Sequence, residues 1–125
     1  MRKQYHFRHS DRGLLAWDVD RLVALSAEQP LEELPLSAIA ELDEDWWFAH
    51  GQVPTVRAVV EHVQLMHDAE LAFPIVLDPD GRVMDGMHRV AKALAEGRVS
   101  VLARRLPELP EPDFVGVSPE DLPYD

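Results

Sequence analysis

The stretch from Phe73 to Gly97 constrains the fold more than any other part of the chain. Phe73-Pro74-Ile75-Val76-Leu77 is a short apolar run that ends in Asp78-Pro79-Asp80-Gly81. Proline and glycine there supply the backbone angles of a tight reversal. Arg82-Val83-Met84 reads as the returning strand of a hairpin, and Asp85-Gly86 ends it. Met87 to Glu96 has helical composition, with Val90, Ala91 and Leu94 expected to face inward, and Gly97 sits where a helix C′ glycine belongs. Val99 to Leu106 reads as a further strand. The order predicts an α/β (α+β) domain with a small mixed sheet and packed helices.

The rest of the chain is arranged around this unit. Pro54 opens a helix running to about Glu70, with Val56, Val59, Val60, Val63 and Met66 on one face. Trp17 to Ser26 suits one short helix or a strand with its turn, and Leu34 to Ile39 reads as an extended segment with proline at its edge. Residues 1–16 are polar and basic and read as an N-terminal arm or first edge element. The domain proper is expected at 17–106. From 107 to 125 the chain is rich in proline and acid, which predicts a tail without regular secondary structure.

Charge narrows the function. The net charge is −11, which repels nucleic-acid phosphates and disfavours a nuclease or DNA-binding protein. Yet residues 82–105 hold six of the twelve Lys and Arg residues against two acids, Asp85 and Glu96. That segment suits a small anion better than a polymer. No cysteine is present, so there is no thiolate nucleophile or thiolate metal site. No apolar run approaches the roughly 18 residues of a membrane span, and Met1 to His6 lacks the apolar stretch of a signal peptide. A cytoplasmic protein without a membrane partner is the expectation, and its oligomeric state is left open.

Asp85-Gly86-Met87-His88-Arg89 is the feature with chemistry in it. A helix start has unpaired N–H groups and a partial positive charge, which suit an anion. Gly86 allows a positive φ or a close backbone approach, Arg89 can grip phosphate oxygens with its planar fork, and His88 can donate one or two hydrogen bonds. Lys92, one turn beyond His88, adds charge. The plainer alternative is that Asp85 is a helix N-cap and His88 and Arg89 are solvated first-turn residues.

Several of these features together resemble the ParB/sulfiredoxin-like superfamily. Phe73 to Leu77, the Asp80-Gly81 turn, Arg82 to Arg89 and Ala91-Lys92-Ala93-Leu94 follow its pattern of Pro-Ile-x-Val, a hairpin, then Gly-x-His-Arg opening an alanine-bearing helix. The resemblance covers about residues 17–105. It implies that Gly86, His88 and Arg89 bind nucleotide phosphates, with Asp85 preceding them as in the free serine kinases, whose motif is Asp-Gly-His-His-Arg. Sulfiredoxin carries its catalytic cysteine where Met87 stands here, so its sulfinic acid chemistry is excluded. The second arginine box and helix-turn-helix domain of full-length ParB are not found, so chromosome partitioning is not expected.

Other candidates surround this turn. Glu41, Asp43, Glu44 and Asp45 could bring a carboxylate for Mg²⁺ or a proton, although a solvated acidic loop is the plainer reading. Trp46 and Trp47, with Phe48, could stack on a base or simply fill core, and His50 could line the cleft. His62 and His67 lie five apart on different helix faces, which does not suit shared zinc, and neither zinc nor haem is expected. The chain thus reads as a nucleotide- or phosphometabolite-binding domain. It could be an ATP- or ADP-dependent phosphotransferase in which Asp85 acts on Mg²⁺ or the acceptor hydroxyl. The alternative is a non-catalytic nucleotide-sensing or protein-interaction module.

Overall fold

The computed structural model of the chain describes residues 3–49 and 51–125. Its centre is a four-stranded mixed sheet of β3 (Glu32–Pro35), β4 (Ile75–Leu77), β5 (Val83–Asp85) and β6 (Ser100–Arg105), in the order β3-β6-β4-β5. β4 and β5 form the expected antiparallel hairpin. Asp78 locks its turn, because Oδ1 accepts from the backbone N–H groups of Asp80 and Arg82, each at 2.9 Å. After β5 the chain enters helix α3 (Met87–Ala95) and crosses over to β6, which runs parallel to β4. β3 pairs antiparallel with β6 at the sheet edge, where its terminal Pro35 removes no ladder bond from an interior strand.

The period of two along these strands divides the core into two layers. Ile75, Leu77, Val83, Val101 and Ala103 point to one face and pack with Met87, Val90 and Ala93 of α3. Val76 and Met84 point to the other and meet Trp17, Leu106 and Leu22, the last from helix α1 (Val19–Ser26). Trp17 to Ser26 is therefore strand end and helix in succession. On α3 the inward residues are Met87, Val90 and Ala93; of the expected inward set Ala91 is half-buried and Leu94 is solvent-exposed, a correction.

The arm and the tail are not loose ends. β1 (Tyr5–Ser10) and β2 (Gly13–Asp18) form a hairpin, and β7 (Phe114–Val115) adds to β2, giving a second sheet in the order β1-β2-β7. The tail is fastened further by polar contacts. Trp17 Nε1 donates to the Pro110 carbonyl at 2.7 Å, and the Asp113 carboxylate accepts from the Asp18 N–H at 2.8 Å. Leu122 is buried. Prolines exclude long regular elements here, but they do not prevent packing.

Helix α2 (Val56–Asp68) forms as expected, with the Thr55 hydroxyl accepting from the Ala58 N–H. It lies on α3, and its half-buried residues include Ala58, His62 and Met66, spaced four apart. The valine face is elsewhere: Val56, Val59, Val60 and Val63 are all exposed. Among the described residues no helix is long and apolar enough to cross a membrane.

Candidate functional site

Gly86 is the N-cap of α3, at φ +112°, and no side chain caps the helix start. Asp85 is thus not the cap. Its Oδ2 accepts from Arg89 Nη2 at 2.8 Å, while Arg89 Nη1 donates to the Pro74 carbonyl at 2.9 Å. The glycine has a packing reason as well: a Cβ there would stand 2.5 Å from Ile75 Cγ2. The Met87 side chain drops into the core, leaving its backbone N–H as what it presents at the helix start.

The cations expected to hold an anion already have partners. Lys92 Nζ donates to the carbonyls of His67 and Ala69 at the end of α2, and so serves as a C-terminal cap. Arg82 pairs with Glu44, Arg98 with Glu96 and Arg105 with Glu32, while Arg104 donates to the Gln29 carbonyl. Four of the six cations in that segment are thus paired with carboxylates, which cuts the positive charge left for an anion.

What the fold does assemble is a stack of rings around His88. His62 of α2 and His88 of α3 lie 26 residues apart, yet Nδ1 of the first and Nε2 of the second are 2.8 Å apart and hydrogen-bonded. One imidazole donates and the other accepts, according to tautomer. Trp47 stacks on both, with centroids 4.6 Å from His62 and 4.9 Å from His88, and Phe48 meets His62 edge-on. Burial pushes His88 down to about 4, with the neighbouring His62 adding to the effect, and burial lowers His62 too. At neutral pH the pair is uncharged.

Two clefts meet at this pair. One, of about 490 Å³, is lined by Gln4, Leu65, Phe73, Gly86, His88 and Arg89 with the acids Asp68, Glu70 and Asp85. The other, of about 470 Å³, is lined by Tyr5, Phe7, Trp46, Trp47 and His62 with Glu44 and Asp45. His88 faces the first and His62 the second. His50 lies outside the described residues.

Three of the four acids before the tryptophans are tied into the fold, although Glu44 and Asp45 also border the second cleft. Glu41 is 2% exposed and accepts from the Val83 N–H at 2.5 Å, Glu44 holds Arg82 by both oxygens, and Asp45 accepts from the Phe48 N–H. Trp46 stacks on His6, which burial, assisted by the Arg8 guanidinium, lowers to about 3. Among the described residues no group of three or more His, Asp or Glu is placed to hold a metal.

His62 is the residue that spacing in the sequence does not expose. Its place in line with Ala58 and Met66, opposite the valines, was the available signal. No family model, curated protein or solved structure matches the chain.

Proposed function

We propose that the chain binds a phosphorylated small molecule of the nucleotide class where α3 begins. The phosphate would meet the first-turn N–H groups and His88, and the planar part would lie along the aromatic wall. One observation carries this reading. His88, the second residue of α3, lies edge to edge with His62 and both stack on Trp47, so a ring-lined wall stands directly beside a helix N-terminus. The resemblance to the ParB/sulfiredoxin-like superfamily supports the same placement.

The electrostatics set the terms of binding. Arg89 is shared with Asp85, and three carboxylates line the cleft, so an anion gains little from free positive charge. Affinity would come from N–H donors, stacking and exclusion of water. Mg²⁺ usually binds through one or two carboxylates together with substrate phosphates, and the described residues offer no preassembled cluster for it. It would have to enter with the nucleotide.

A phosphotransferase is the second reading, favoured by the neutral His62–His88 pair at the cleft. The pair would take the proton of an acceptor hydroxyl as that oxygen bonds the terminal phosphorus of a nucleotide and the bridging P–O bond breaks, the nucleotide one phosphate shorter leaving with the bridging oxygen, while Asp85 positions Arg89. Thermal unfolding with phosphate, AMP, ADP and ATP, each with and without Mg²⁺, tests the binding. At least one nucleotide should raise the midpoint saturably, and Trp47→Ala or His88→Ala should abolish the rise. No shift with any of them, and no chemical-shift change at His88 on addition of millimolar nucleotide, would remove the reading. Turnover with hydroxyl acceptors, lost in His62→Ala, separates enzyme from binding module.

A further inference from the structure

The valine face of α2 has no partner within the chain. Val56, Val60, Val63 and His67 follow one another at intervals of four, three and four, and Val53 extends the series by three before the helix begins. This is the a/d spacing of a helix that packs lengthwise against another helix. The exposures are 69% for Val53, 83% for Val56, 58% for Val60 and 39% for Val63. Val59, flanking the seam, is also exposed. A continuous apolar stripe left in water marks an interaction surface.

Charge identifies the occupant. Arg57 flanks the seam at the N-terminal end of α2, and Asp68 lies on the same side at the C-terminal end. Among the described residues Arg57 is the arginine without a hydrogen bond or ion pair; the others are all engaged. Asp68, accepting from Gln64, is exposed and retains acceptor capacity. If two such helices lie antiparallel about a two-fold axis, flanks on the same side meet. Arg57 of each copy then falls beside Asp68 of the other, twice by symmetry. A parallel pair would instead bring like ends together, with both helix dipoles aligned.

We propose that a second copy of this chain docks on the first through α2, antiparallel, with Val56, Val60, Val63 and His67 as the seam and Arg57–Asp68 pairs closing it. The interface is isologous, as most homodimer interfaces are. The −11 charge on each copy opposes association, but at physiological salt charges further apart than about 8 Å are largely screened. None of the four seam residues lines either cleft, so Val60→Glu tests the dimer apart from the site, whereas Asp68 borders both the seam and the first cleft.

Sedimentation velocity on the full chain, from micromolar to millimolar concentration, reads the association. The dimer should form, and Val60→Glu should make the chain monomeric while leaving its circular dichroism unchanged, because the side chain is already in solvent. Arg57→Asp and Asp68→Arg should each weaken dimerisation on the order of tenfold. The double variant should recover most of that loss, because an antiparallel pair restores both bridges. A chain that stays monomeric at every concentration overturns the proposal. So does a dimer indifferent to Val60→Glu, which uses another surface. A double variant as weak as either single one overturns the antiparallel register.

Discussion

Gly86 answers two demands at once, and they can be separated by measurement. Its φ of +112° strains any other residue by roughly 1–3 kcal/mol. An added methyl must also displace Ile75 from the floor of the core. Gly86→Ala should therefore lower stability by about 2–4 kcal/mol in urea unfolding, with no ligand present. A glycine kept only for ligand approach would leave stability untouched. Arg89→Ala should likewise cost about 2 kcal/mol, since it leaves the half-buried Asp85 carboxylate and the Pro74 carbonyl without their donor. The buried imidazoles add a pH dependence. His6 and His88 are held neutral, at about 3 and about 4, below the ordinary 6.5. Protons therefore bind the unfolded chain more readily. Their stabilising contribution is complete above about pH 7 and is lost as pH falls from 6.5 towards those values. For His6 the loss by pH 5 should be about 2 kcal/mol, and His6→Phe should flatten that part of the curve. Gly86, His88 and Arg89 were legible as a group because they are adjacent. Their partners were not, because Ile75, Pro74 and His62 reach them through space.

At the scale of elements, legibility followed locality. The β4–β5 hairpin, its Asp78-Pro79-Asp80-Gly81 turn and the start of α3 are written in consecutive residues, and the structure has them within a residue or two. The pairing of Leu15 with Val115 joins positions 100 apart, and no local pattern announces it. Two residues of β7 are too few for a strand signal, and the surrounding prolines argue for irregular chain. Helix α2 shows the opposite error. Its apolar period is real, but a period says which residues share a face, not what covers that face. The packed tail changes the expected effect of truncation. Deleting residues 111–125 removes β7, the Asp113 carboxylate that serves Asp18 and Arg21, and buried Leu122. Burial of one leucine alone contributes about 2 kcal/mol, so the deletion should cost about 3 kcal/mol and lower the melting temperature by about 10 °C. An unchanged melting curve would mean that the second sheet stands without its third strand.

The whole molecule carries its charge in a way that composition conceals. Read along the chain, residues 82–105 are a basic island in an acidic protein. In the folded chain each cation of that island is answered: Arg82 by Glu44, Arg89 by Asp85, Arg98 by Glu96, Arg105 by Glu32, and Lys92 and Arg104 by backbone carbonyls. The same holds on the second sheet, where Lys3 meets Asp18, Arg8 meets Asp78 and Arg21 meets Asp113. A cation paired with a carboxylate contributes little to the field felt by a distant polyanion, and the unpaired remainder of the charge is negative. Polymer binding needs the reverse, a face where several Lys and Arg residues displace counterions together. Among the described residues Arg57 is the arginine left without a partner, and it is one charge beside Glu61 on its own helix, which is not such a face. The chain should therefore leave duplex DNA unshifted in gel titrations at physiological salt up to micromolar protein. If weak binding appears at low salt, it should fade with a shallow slope, because few phosphates can be neutralised at once. Sub-micromolar, sequence-selective retardation at physiological salt would show that some of these ion pairs open to receive phosphate. It would also return the 82–105 segment to the role its composition suggests.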